Sequence, residues 1–310
     1  MNRHFLFNEH PSKQLLFTGL VVIACWIGFQ IISFSTGIFI FRIPVNQLAA
    51  DLKDYSNPEI VSFLKYVQAI TSFGMFIFAA FIIAREIELN WKKFLTLDKN
   101  PGLIPLIITG LFVIIILPFT NLLTYLNAEI HFPELLSGLE RFFHTKEDQM
   151  QQIMEAFLNV NGLGALIINL FVIAVIPALG EELIFRGIVQ DRFTVWIKNH
   201  HIAILLTSFI FSALHIQFLS FLPRFFLGMV LGYMFYWSKS IWLTIVSHFI
   251  NNVLAVIFYQ LYYNGKVDKT IELVGTPQHG IVYSIIAVLL GGVLIFVLMR
   301  YYEKKKDFTV

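Results

Sequence analysis

Two adjacent carboxylates and an arginine interrupt a run that is apolar on both sides: Gly180 to Arg192 reads Gly-Glu-Glu-Leu-Ile-Phe-Arg-Gly-Ile-Val-Gln-Asp-Arg. A charged side chain at the centre of a membrane span costs about 2.5 to 3.5 kcal/mol on insertion scales, so such a group needs a partner or a task. Glu182 and Arg186 stand four apart, acid before base, the order that lets them pair on one helix face. Glu181 points about 100° away around the helix and is left free for chemistry. Downstream, Phe211-Ser-Ala-Leu-His215 and His248-Phe-Ile-Asn-Asn252 repeat the four-residue spacing in two further apolar stretches, so each presents a polar stripe to its neighbours. Glu181, His215 and His248 make one carboxylate and two imidazoles, a ligand set that zinc can use with water in the fourth position. The bland reading of each residue alone is packing: a single His in a span is often hydrogen-bonded filler, and Asn is interhelical glue. Several ionisable groups together each demand partners, and that favours a site.

Of the 310 residues, 57% are hydrophobic and only 14% charged. That is more apolar surface than a soluble core can hide, and the chain reads as an all-α, polytopic transmembrane bundle. Runs long enough to cross a bilayer occur near 15 to 41, 61 to 84, 103 to 126, 163 to 197, 202 to 217, 221 to 238, 241 to 262 and 280 to 300. About eight membrane helices are expected, with the motif in the second half of a long fourth one. Glu181 lies 18 residues before Asn199 and His215 14 after His201, roughly 27 and 21 Å from the turn joining their spans, so the two share a level. His248 stands only about 8 residues, roughly 12 Å, beyond the turn at Ser240, and tilt or a fifth-to-sixth turn sunk into the membrane must close that gap.

A net charge of +2 gives no general attraction to nucleic acid, so none is expected as a partner. Counted between spans, fourteen Lys and Arg fall on one side and eight on the other, which puts both termini in the cytoplasm, with Lys304 to Lys306 as an inside anchor. The tally includes Arg186 and Arg224, which sit within spans. The compact tails incline the assignment to a bacterial plasma membrane. Arg85 to Lys99 reads either as an interfacial segment with Trp91 at headgroup level or as a solvated loop, and Thr145 as the N-cap of an amphipathic helix over 145 to 160. Gly228, Gly232, Gly291 and Gly292 mark close helix contacts, and Arg224 either snorkels or meets a substrate carboxylate.

The set Glu181-Glu182-x-x-x-Arg186, Phe211-x-x-x-His215 and His248-x-x-x-Asn252, in this order on successive apolar spans, resembles the CPBP family of intramembrane peptidases. These are the type II CAAX prenyl endopeptidases and their bacterial bacteriocin-processing or Abi relatives. The likeness covers roughly Leu163 to Tyr263 and shows no departure at the motif positions. It implies an intramembrane endopeptidase in which Glu181 is the general base and holds a water with His215. His248 and Asn252 would donate to the oxyanion, and Glu182, Arg186 and Phe211 would support them. It divides the chain into N-terminal membrane helices with the amphipathic connector (1 to 162), a catalytic core (163 to 263), and a last helix with a basic tail (264 to 310). The partners implied are membrane lipid and a membrane-borne, prenylated or unmodified, protein or peptide. No cofactor is favoured, because the His-Glu-x-x-His pattern of zinc peptidases is absent; a zinc-dependent version keeps Glu181, His215 and His248 as ligands.

Two other classes compete. A membrane binding or immunity protein would use the same pocket without turnover, since a fold does not prove a reaction. An ion-coupled carrier would use the buried acids as a proton relay, but paired inverted repeats are missing. No Gly-x-Ser-x-Gly elbow, phosphate loop or dinucleotide fingerprint occurs.

Overall fold

A computed structural model describes residues 6–46, 52, 54–160 and 162–307, and every element among them is helical. In chain order the principal helices are α1 Pro11–Ile40, α2 Pro58–Ile87, α3 Leu103–Ile115, α4 Leu117–Ala128, α5 Ser137–Leu158, α6 Leu163–Ile197, α7 His200–Ala213, α8 Phe221–Ser238, α9 Ile241–Tyr263 and α10 Ile281–Asp307. Arg3 and Lys53 of the charge tally, and the side chain of Lys306, lie outside the described residues.

Around an apolar interior, several helices also turn large apolar side chains outward. On α1 the buried residues are Gln14, Thr18, Ser33 and Gly37, while Leu16, Ile23, Trp26, Ile31 and Phe39 are exposed. The last helix buries Ser284 together with Ala287, Leu298 and Tyr302 and exposes Ile285, Leu289, Val293 and Phe296. Apolar side chains turned outward along helices of this length are at home in lipid, where small and polar residues mediate helix contact. The chain is an integral, multi-pass membrane protein.

Six helices are long and apolar enough to cross a membrane: α1, α2, α6, α9, α10, and α8 with the 3-10 turn before it. The α3–α4 pair, bent by 45°, makes a seventh when taken as one broken span. The eighth expected span is α7, which has 14 residues and measures about 21 Å, short of the roughly 30 Å hydrocarbon core. Polar groups from elsewhere satisfy the backbone of the turn that follows it. The buried Asn127 of α4 donates from Nδ2 to the Phe218 carbonyl (2.8 Å) and accepts the Leu222 N–H (2.7 Å), while Ser212 donates to the Phe221 carbonyl. Phe218 stacks on Phe143 of α5.

The amphipathic helix starts eight residues earlier than expected, at Ser137, so Thr145 is no cap; its hydroxyl instead bonds back to the Arg141 carbonyl (2.8 Å). The C-terminal end of α5 is well anchored. Phe157 and Leu158 are buried, and the Phe157 carbonyl accepts both Lys65 Nζ (2.8 Å) and Asn169 Nδ2 (2.7 Å).

Three of the four glycines read as helix contacts behave so. A Cβ on Gly228 would meet Ser208 at 3.1 Å, one on Gly232 Ile204 at 2.8 Å, and one on Gly291 Ile116 at 3.1 Å; Gly292 faces open space. The 91–97 segment is packed rather than loose. Leu95 is buried beside Gly187, and this stretch caps the start of α9: Ile241 N–H donates to Thr96 Oγ1 (3.1 Å) and Trp242 Nε1 to the Leu97 carbonyl (2.9 Å).

The apparent depth mismatch of His248 is resolved by α6 overshooting its neighbour. Ile241 Cδ1 stands 3.8 Å from where a Gly187 Cβ would sit, so α9 begins beside the middle of α6, about 15 Å short of its end. From that crossing, Glu182 and His248 lie about 7 and 10 Å along their antiparallel helices, at one level.

Candidate active site

The motif helix α6 contains two π segments, Leu170–Val175 and Phe185–Gln190, flanking the turns that carry Glu181 and Glu182. The first has an identifiable cause. Pro177 has no N–H and its ring crowds the carbonyl four residues back, that of Ile173. The freed Ile173 carbonyl accepts a bond from Asn252 Nδ2 at 3.3 Å, and Asn251 donates to Asn252 Oδ1, also at 3.3 Å. A helix defect on one span thus orients the amide on another.

Behind Glu181, Gly180 lets α2 press close: a Cβ there would stand 2.6 Å from Phe76 Cβ, on the π segment Phe73–Phe78 of that helix.

Glu182 and Arg186 pair as read, Nη1 to Oε1 at 2.6 Å, and both are fully buried. The same Oε1 takes a bond from His248 Nδ1 at 2.9 Å. A carboxylate paired with a guanidinium accepts, so His248 carries its proton on Nδ1 and turns Nε2 toward Glu181, 3.9 Å from Oε2. Arg186 Nη2 reaches the Gly228 carbonyl (3.1 Å), and Gln190, one turn on, repeats the pattern with Gly232 (2.9 Å). This double clasp between α6 and α8 was not read from sequence; a Gln four after the Arg, opposite two Gly four apart, was its signal.

His215 lies just past α7, not within a continuing helix. Its Nδ1 bonds the Phe211 carbonyl at 2.7 Å, one of the carbonyls left open by the helix end. A carbonyl cannot donate, so the proton is on Nδ1 and Nε2 is left as the acceptor. The Phe211 ring stands edge-on to both imidazoles, with centroids 5.0 Å from His215 and 6.1 Å from His248, and lies under the Arg186 guanidinium at 4.9 Å.

Glu181, His215, His248 and Asn252 all line one cavity of about 1020 Å³, with Phe211 in its wall and mostly apolar side chains around them. Glu181 keeps 12% of its side-chain surface open. Glu182 and Arg186 lie behind the wall as a support. Arg224, read from sequence with two alternatives, also faces this cavity. Among the described residues no group of three His, Cys, Asp and Glu side chains is arranged to hold a metal ion.

Fold and site together define a multi-pass membrane protein in which polar side chains from α6, α9 and the turn after α7 line one cavity. Residues 163–254 match the family model described as type II CAAX prenyl endopeptidase Rce1-like. The resemblance read from the motifs thus holds over the stretch that carries them, and it is a resemblance to membrane-embedded proteases. Neither the curated proteins nor the solved structures yield a match.

Proposed function

We propose that the protein is an intramembrane endopeptidase that hydrolyses a peptide bond of a membrane-borne protein or peptide, prenylated or not. The observation that carries this is the convergence of Glu181, His215, His248 and Asn252 on one cavity, with both imidazole tautomers fixed by neighbours.

In this reading Glu181 takes a proton from a water held between its carboxylate and the His215 Nε2 lone pair. The water oxygen bonds to the scissile carbonyl carbon, and the carbonyl oxygen becomes an oxyanion. Asn252 offers the N–H of Nδ2 not given to Ile173. His248 donates from Nε2 when it is an imidazolium, because its Nδ1–H is committed to Glu182. Collapse breaks the C–N bond, and the proton on Glu181 passes to the leaving nitrogen. General-base assistance contributes about 10²- to 10⁴-fold, and an oxyanion donor about 10²- to 10³-fold in kcat. The apolar walls keep bulk water away and strengthen each interaction. No step is routed through a metal.

Purified protein in detergent, given a library of fluorescence-quenched peptides, tests the reading. Cleavage by the parent and none by Glu181→Gln or His248→Ala is expected. Equal cellular phenotypes for the parent and both variants, with no cleavage in vitro, would favour the binding or immunity role. Loss of activity on chelation, together with one zinc per active chain, would transfer the water to a metal.

A further inference from the structure

Arg224 projects from the first turn of α8 into the same cavity, and the hydrolytic roles proposed above leave it unused. Its Nη2 donates to Gln217 Oε1 at 2.8 Å, while Nη1 is buried with no hydrogen-bond partner among the described residues. The acids whose charge it feels are Glu147 of α5 and Glu181, yet neither forms an ion pair with it. Glu147 instead accepts from Ser220 (3.3 Å). A guanidinium that merely snorkelled would expose its nitrogens to the interface; this one closes an N–H off inside the cavity.

A buried cation with an unspent donor is costly until an anion arrives, and the fork of a guanidinium matches a carboxylate through two parallel bonds. Position adds direction. Arg224 sits one helical turn, about 6 Å, from Gly228, whose carbonyl is held by the Arg186 that braces Glu182. An anion at Arg224 therefore belongs to a residue close to the bond being cut.

We infer that Arg224 receives a carboxylate of the bound peptide and sets where along the chain the scissile carbonyl falls. This rests on the peptidase reading. The carboxylate has two sources, a free C-terminus or an Asp or Glu side chain.

The test compares one cleavable peptide as its free acid, as its C-terminal amide, and with nearby Asp or Glu changed to Asn or Gln. The parent should favour one carboxylate form about tenfold, chiefly through KM, and the arm that loses the preference names the source. Arg224→Gln should lower kcat/KM for the carboxylate form alone, and Arg224→Lys should keep part of the preference. Equal cleavage of all forms by the parent, or an equal loss on all forms in Arg224→Gln, would overturn the inference while leaving the peptidase reading intact. Thermal stabilisation of Glu181→Gln by the same peptides gives a readout without turnover. Stabilisation by the carboxylate form alone supports the site even if the parent cleaves nothing; equal stabilisation by acid and neutral forms overturns it.

Discussion

His248 donates through Nδ1 to Glu182 at 2.9 Å, and the oxygen it uses is the one already held by Arg186 at 2.6 Å. One carboxylate oxygen thereby sets both the tautomer of an imidazole on α9 and the position of a cation on its own helix. The two neighbouring glutamates consequently have separable tasks.

Replacing Glu182 by Ala leaves a fully buried guanidinium unpaired and should destabilise the protein by about 3 to 5 kcal/mol, with activity lost alongside. Glu181→Gln should abolish cleavage without lowering the melting temperature in detergent, because among the described residues Glu181 makes no hydrogen bond to another helix and only faces His248 Nε2 at 3.9 Å. A large thermal loss in Glu181→Gln, or none in Glu182→Ala, would reverse these assignments.

Pro177→Ala restores an N–H that competes with Asn252 for the Ile173 carbonyl. A proline in a helix interior costs about 3 kcal/mol, so the variant should melt higher, yet turn over more slowly with KM little changed. An unchanged kcat would show that the Asn252 bond does not position the amide.

Gly180→Ala drives a methyl to 2.6 Å from Phe76 Cβ and should cost about 1 to 3 kcal/mol by overpacking. Phe76→Ala cannot remove that backbone-proximal carbon, so it should relieve the strain only in part. Additive losses in the double variant would place the clash elsewhere.

Glu147, on α5 outside the membrane spans, has its carboxyl pushed up by burial, against the lowering effects of Ser220 and Arg224. A carboxyl raised on folding binds its proton more tightly in the folded state. Stability from this group is thus greatest at low pH and falls as pH climbs from the ordinary Glu range through the raised folded value. Relative to the parent, Glu147→Gln should melt higher above that window and lose its advantage below it. The opposite trend across a pH series of melting curves would show that the ion field of Arg224 outweighs desolvation.

Much of this was legible before any coordinates. The buried acid and arginine pair, the two imidazoles and the amide were marked by polarity out of place in apolar spans, and helical spacing alone foretold the Glu182–Arg186 bond. The level of His248 was not legible, because it depends on α6 running past the start of α9, and Gly187 beside Ile241 reveals that only in three dimensions. The shortness of α7 was not legible, because hydropathy runs on past Ala213 and does not register that the helix ends before His215. Nor does composition announce that Asn127 will serve as a surrogate backbone for the turn between α7 and α8. The start of α5 was misplaced because Thr145 has the chemistry of a cap, yet residues 137 to 144 were already helical.

The π segment Leu170–Val175 gears two distant parts of the molecule together. Each such bulge amounts to one surplus residue in an α-helix, and removing it would turn everything upstream by about 100°. Glu181 and Glu182 would keep facing the cavity, but Asn169 would swing away from the Phe157 carbonyl it holds at 2.7 Å. The amphipathic helix α5 would then lose one of the two side-chain bonds that hold its C-terminal carbonyl at Phe157. A single-codon deletion in this stretch therefore acts as a clutch, slackening the C-terminal end of α5 while leaving the cluster of polar side chains intact.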